Sequence, residues 1–142
     1  WAPERLQDIV DGVCQDPDFR RYDDVDAVTD IPAAWFHREL RLAYPGLKII
    51  ITIRDPDKWF ESVKKHYARI EQPDFALQNL VYGSTTVTKF LYQKRFSDHT
   101  DAVLGNSLPG TRLITNVKHG WDPICRFLQL PVPDVPFPHH PG

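Results

Sequence analysis

The chain has 142 residues, of which 42% are hydrophobic and 25% are charged, and its formal net charge is −2. These values exclude a disordered or fibrous chain and are typical of a globular protein with one core. The near-neutral charge argues against nucleic acid as a partner, because domains that bind nucleic acid usually carry a basic surface. We therefore expect one domain over residues 1–142, with a proline-rich extended tail over 131–142.

The first residue is Trp1 rather than Met, so we expect that part of the N-terminus has been removed. No apolar run approaches the roughly 20 residues that a membrane-spanning helix needs, and membrane association is not indicated. Cys14 and Cys125 lie in unrelated contexts without metal-type spacing. This predicts no metal site and favours a reducing, cytoplasmic compartment.

In chain order, the first half of the sequence alternates between helix and strand patterns. We predict a short helix over residues 3–13, a strand over 25–30 and a helix from Pro32 to about Tyr44. The clearest strand is Leu47–Ile53, because its isoleucine-rich pattern suits a central strand that is covered on both faces. A helix over Pro56–Ile70 follows at once.

The second half continues the alternation. Residues 75–105 are predicted to be mostly helical with a break at Gly83–Ser84, followed by a strand over Arg112–Val117 and a helix over Trp121–Leu128. This order predicts an α/β fold with a parallel sheet and helices on both of its faces, in three layers. Ligands of such sheets bind beyond the carboxyl ends of the strands.

The strongest local signal is the segment IRDPDKWFES. Arg54 ends a buried strand, and Asp55 is placed to cap the helix that follows. A guanidinium beside a helix N-terminus suits a phosphate group, and Ser62 leans back toward the same helix start. Arg54 and Ser62 are therefore predicted to hold one anion together. The alternative is that Arg54 pairs with Asp55 or Asp57 and that Ser62 faces solvent.

The longer stretch YPGLKIIITIRDPDKWFESV resembles the core of sulfotransferases that use 3′-phosphoadenosine 5′-phosphosulfate (PAPS). In that family a strand ends in Arg, and a Ser eight positions later helps bind the 3′-phosphate; Arg54 and Ser62 fit this spacing. VTDIPAAWFHREL upstream and RLITNVKHGWDPICRFLQLPVPDVPFP downstream are similar to the bacterial and fungal branch of the family. The resemblance covers about residues 20–138.

The resemblance implies a P-loop NTPase-like sheet and an enzyme that moves a sulfo group from PAPS, without a metal, to a hydroxyl or amine of a small acceptor. It also implies that the first strand, which carries the P-loop, lies N-terminal to this chain. We then expect a fragment that is inactive as given, with a gap or a non-native pairing between the strands at 47–53 and 112–117. The alternative is a non-catalytic nucleotide-binding or interaction module of the same fold.

The resemblance also points to residues on the acceptor and adenine sides of the site. Cytosolic members of the family carry a base, commonly histidine, two positions before a proline, and here that position is Asp30. Asp30 is therefore either a general base or a cap for the next helix. Tyr82 lies in a short segment similar to one near the adenine. His37 is more typical of a surface or packing residue, and His99 is a weaker candidate for the acceptor side.

Overall fold

The computed structural model describes residues 19–138. The helix predicted over residues 3–13, Cys14 and the last residues of the proline-rich tail lie outside this range. In chain order the described elements are α1 (His37–Ala43), β1 (Ile49–Thr52), α2 (Pro56–Arg69), α3 (Phe75–Tyr82), α4 (Lys89–Gly105), β2 (Arg112–Thr115) and α5 (Trp121–Leu128), with single turns of 3₁₀ helix at Phe19–Tyr22, Pro109–Thr111 and Val117–His119.

The two strands form a small parallel sheet, as an α/β fold requires. The register runs from Ile49 opposite Arg112 to Thr52 opposite Thr115. The pairing continues one residue further, where the Ile53 amide donates to the Thr115 carbonyl at 2.8 Å. Of the two outcomes predicted for these strands, the gap is wrong, because β1 and β2 are direct hydrogen-bonded neighbours.

The strand predicted over residues 25–30 does not form. Every residue from Asp23 to Asp30 is exposed, and β1 and β2 are the members of the described sheet. Aspartate is depleted in strands, and an unpaired strand leaves its backbone groups without partners, so the acidic segment stays irregular. The helix predicted from Pro32 begins later, at His37, after a series of turns over 31–36 that includes a cis Ile31–Pro32 bond.

Helix α2 follows the prediction closely because its start is encoded locally. The Asp55 carboxylate accepts a hydrogen bond from the Lys58 amide at 2.9 Å, and Pro56 occupies the first turn. The inward side carries Phe60, which is buried, and Trp59, which is partly buried. This cap fixes the direction in which the chain leaves the end of β1.

The break predicted at Gly83–Ser84 separates α3 from α4. Gly83 adopts a left-handed conformation with φ of 74° and closes α3 through a hydrogen bond from its amide to the Asn79 carbonyl. A Cβ atom at this position would lie 3.0 Å from the Arg95 guanidinium. Glycine is therefore favoured both by the backbone conformation and by the close approach of Arg95.

The most deeply buried side chains lie between α3 and α4. Tyr92 is 0% exposed and Gln78 is 2% exposed. The Tyr92 hydroxyl accepts from Gln78 Nε2 at 2.7 Å and donates to the Ser84 carbonyl at 3.0 Å. Gln78 Nε2 also donates to the Thr85 carbonyl at 3.1 Å. This network ties both helices to the loop between them.

The proline-rich segment packs back onto α5. Residues 131–138 form neither helix nor strand. Trp121 Nε1 donates to the Val135 carbonyl at 2.9 Å, and the Trp121 ring meets the Phe137 ring at 4.8 Å between centroids. One tryptophan at the start of α5 thus holds this part of the tail.

Candidate active site

A cavity of about 630 Å³ is lined by β1, α4 and the turns that precede α1. Its aromatic lining residues are Trp35, Trp59, Tyr82 and Phe96. Its polar and charged lining residues are Thr29, Asp30, His37, Lys48, Thr52, Arg95, His99 and Thr100. The other lining residues are aliphatic. Mostly apolar walls with a few convergent polar groups are typical of a small-molecule site.

Two of the four predicted site residues, Asp30 and Tyr82, lie in the wall of this cavity. Asp30 has a φ of 68°, and its side chain accepts a hydrogen bond from the Ile31 amide at 2.7 Å. Its carbonyl accepts from the Ala34 amide at 2.9 Å. The carboxylate therefore holds its own turn and does not cap α1, which begins only at His37.

The Tyr82 ring is already packed on one side. It stacks on Tyr92 at 4.4 Å between centroids with an interplanar angle of 6°, and it meets the edge of Tyr67 at 6.1 Å. A nucleobase at this place would therefore have to use the Tyr82 face that points away from Tyr92.

Two phenol groups close to Asp30 remain protonated at physiological pH. Burial, with smaller contributions from Tyr92 and from the Asp30 charge and against a hydrogen bond with Tyr82 that lowers it, raises the pKa of Tyr67 to about 12. Burial and the Asp30 charge also raise the pKa of Tyr82, further above its usual value. Both phenols therefore stay protonated and do not act as bases, and their hydroxyls lie within hydrogen-bonding reach of each other.

Arg54 and Ser62 do not line this cavity. Arg54 lies between the end of β1 and the start of α2, and Ser62 lies within α2. Arg54 is exposed, and in the described part of the chain it forms no ion pair with Asp55 or Asp57. Asp55 caps α2, and Asp57 accepts from Lys89 Nζ at 2.7 Å and from Gln93 Nε2 at 2.9 Å. The acidic pairing that the sequence left open for Arg54 is therefore not formed.

Ser62 belongs to a cationic stripe on the exposed side of α2. Lys58, Ser62, Lys65 and Arg69 are all exposed, and their spacing of three and four residues puts them on one helix face. The rise of an α-helix places Ser62 roughly 9 Å along the axis from Pro56. The serine hydroxyl is thus flanked by positive charge, which favours an anionic ligand.

The structure also places Asn116 at the carboxyl end of the sheet, and the sequence analysis did not single out this residue. Its Nδ2 donates to the Ile53 carbonyl at 3.3 Å, and its Oδ1 accepts from the Lys118 amide at 3.0 Å. The side chain therefore bridges the carboxyl ends of β1 and β2 and steadies the backbone that immediately precedes Arg54. The available signal was a polar residue directly after the second strand.

His37 from α1 and His99 from α4 meet in the cavity wall. Their ring centroids are 5.5 Å apart, and the rings make an edge-to-face contact at 81°. His37 therefore lines the cavity and packs against His99, so of the surface and packing alternatives that its pattern left open, the structure shows packing. Burial lowers the pKa of both imidazoles, and the nearby His99 lowers the pKa of His37 further.

This pair should make the stability of the protein depend on pH. In the unfolded chain each imidazole has a pKa of about 6.5, so it takes up a proton before the folded form does. The free energy of unfolding should therefore fall as the pH is lowered below about 6.5, as measured by urea titrations at a series of pH values. The double variant His37→Gln/His99→Gln should flatten this part of the profile, whereas His66→Gln, on the exposed side of α2, should not. An unchanged slope in the double variant would contradict the lowered pKa values.

Three further findings concern residues 19–138. In that range no group of three or more His, Cys, Asp or Glu side chains is arranged to hold a metal ion. The helices of the same range are all too short or too polar to cross a membrane. Cys125 is buried and has a free thiol.

Comparison with known proteins identifies relatives over most of the sequence. A family model described as a sulfotransferase domain matches residues 13–141. The chain is also similar to a curated protein of Aspergillus versicolor named Ava biosynthesis cluster protein M, with 29% identity over 141 residues. This match covers 80% of the chain and 53% of the relative, so the chain spans about half the length of that relative.

Proposed function

The chain belongs to the sulfotransferase domain family, and on that premise we propose that it forms part of an enzyme that transfers a sulfo group from PAPS to a hydroxyl or amine of a small acceptor. The observation that carries the proposal is Arg54, an exposed arginine between the end of β1 and the start of α2 that is not paired with either neighbouring aspartate. The relative's name places that protein in a biosynthesis cluster, which supports a small-molecule acceptor.

We assign Arg54 and Ser62 to the 3′-phosphate of the nucleotide. The Arg54 guanidinium offers a fork of donors, and the first turn of α2 adds backbone N–H groups. The Ser62 hydroxyl lies on the cationic stripe of the same helix. Tyr82 is assigned to the adenine, through the face that Tyr92 does not cover. These groups match a phosphorylated nucleoside in charge and in aromatic character.

When bound, PAPS supplies the sulfo group already activated as a phosphosulfate anhydride. The contribution of the protein is then to position the acceptor and to stabilise charge. The apolar cavity walls would hold the acceptor and exclude water. The proton of the acceptor needs a base, for which the resemblance to the family points to Asp30 in the wall of the same cavity.

The test combines nucleotide binding with transfer. The chain is titrated calorimetrically with adenosine 3′,5′-bisphosphate, and both the chain and any longer natural form of it are incubated with radiolabelled PAPS and a panel of small phenols and amines. We expect nucleotide binding and, in the catalytically complete form, a labelled sulfated product. Binding without any product would favour the non-catalytic nucleotide-binding module, and the absence of both would overturn the proposal.

A further inference from the structure

The cavity holds a second group that is able to accept a proton. His37 and His99 come from different helices and are both half-buried, and their ring centroids lie 5.5 Å apart. Within the described part of the chain, neither ring has a hydrogen-bond partner, although both line the cavity. A polar ring nitrogen among apolar walls gains stability when a ligand satisfies it.

We propose that the His37–His99 pair accepts the hydrogen bond of a hydroxyl on the bound acceptor and takes its proton. The O–H proton passes to a ring nitrogen of the pair, and the electron pair of that bond stays on the acceptor oxygen. Asp30 then serves mainly to hold its turn through the Ile31 amide. The inference rests on the proposed function for the presence of a hydroxyl acceptor.

The surroundings keep the pair in the unprotonated form that a base requires. On α1 the charged neighbours of His37 are Arg38 and Arg41, which oppose a further positive charge, and Glu39, which favours it. Elsewhere around the cavity the charged groups are Arg95 of α4, Lys48 before β1 and Asp30. Burial is the largest cause of the lowered pKa of each imidazole. Because a charge on one ring disfavours a charge on the other, the pair takes up one proton more readily than two.

The cavity walls beside the pair suit a flat hydroxyl compound. Trp35 and Phe96 line the same cavity, and Phe96 lies one helical turn before His99. An aromatic ring packed against these walls can present its hydroxyl to the imidazoles. An aryl alcohol is therefore the simplest probe of the pair.

Phenol and anisole form a matched pair of probes, because they share the ring and only phenol can donate a hydrogen bond. Trp35 and Trp59 line the cavity, so quenching of tryptophan fluorescence reports the binding of either compound. We expect phenol to bind about 2- to 12-fold more tightly than anisole near neutral pH, as one hydrogen bond would give. This preference should weaken in acid as one ring takes up a proton and should be lost once both rings are protonated.

Variants then assign the preference to particular residues. His37→Leu and His99→Leu should each reduce it, whereas the exposed-site control His66→Leu should retain it. Asp30→Asn separates the pair from the other candidate base, and under this inference the preference persists in that variant. Loss of the preference in Asp30→Asn, or its absence in the unmodified protein, would overturn the inference.

A measurement on the unmodified protein covers the case in which a leucine variant does not fold. The ring-nitrogen resonances of His37 and His99 should move clearly more on saturation with phenol than with anisole, because only phenol donates a hydrogen bond to those nitrogens. Resonances that do not respond to phenol would also overturn the inference. These readouts do not involve PAPS, so a failure of sulfo transfer and a failure of this inference give different results.

Discussion

Replacing Tyr92 by alanine is expected to lower the free energy of unfolding by about 3–5 kcal/mol. Tyr92 is 0% exposed, stacks on Tyr82 and meets the edge of Phe60 at 6.5 Å. Truncation would leave a cavity between α3 and α4 and would take away the oxygen that accepts from Gln78 Nε2. A loss of this size is a large part of the roughly 5–15 kcal/mol that stabilises a typical domain.

Two variants serve as references for this result. Phe90→Ala lies on the same helix, but Phe90 is 81% exposed, so we expect a change within about 0.5 kcal/mol. Tyr92→Phe keeps the ring and removes the hydroxyl, and should cost about 1–3 kcal/mol because Gln78 loses a buried partner. Urea unfolding followed by circular dichroism measures all three. If Tyr92→Ala were as stable as Phe90→Ala, this result would contradict the burial of Tyr92 between α3 and α4.

The elements that sequence predicted well are those whose signals are local. The start of helix α2 is predicted by the capping residue Asp55 and by Pro56 in the first turn, and its inward side is predicted by the spacing of its apolar residues. The isoleucine-rich strand at Leu47–Ile53 contains β1, and the glycine at 83 marks the end of α3. The prediction that this strand is covered on both faces is wrong, because burial alternates along β1 and Ile50 is exposed. The strand predicted over residues 25–30 failed because a strand needs a pairing partner, and pairing is a property of the whole fold.

The same distinction explains which of the proposed site residues could be predicted from the sequence. Arg54 and Ser62 share one short motif, so their spacing was visible in the sequence. The contact between His37 and His99 joins two helices that are far apart along the chain, and no periodicity brings the two residues together. Asn116 likewise acts on Ile53 only because β2 pairs with β1. Tertiary contacts of this kind become visible only in the folded structure.

Replacing Arg54 by alanine is expected to weaken the binding of adenosine 3′,5′-bisphosphate by about 10- to 150-fold, the range for hydrogen bonds to a charged group. Arg54 stands at the carboxyl end of β1 without an acidic partner among its neighbours, so its donors are free for a phosphate. Ser62→Ala, which removes one neutral donor, should weaken binding by only about 2- to 12-fold. Arg126→Ala is the control and should leave the affinity nearly unchanged, because Arg126 is an exposed arginine on α5 and does not belong to the cationic stripe of α2. Isothermal titration calorimetry measures each affinity.

A second ligand shows whether Arg54 contacts the 3′-phosphate itself. Adenosine 5′-monophosphate lacks that group, so its affinity should be nearly the same for the unmodified protein and for Arg54→Ala. If Arg54→Ala weakens both ligands equally, the side chain contacts another part of the nucleotide. If neither ligand is affected, the nucleotide binds elsewhere. Because only the bisphosphate should respond, the difference between the two ligands isolates the contact from any general change in charge or fold.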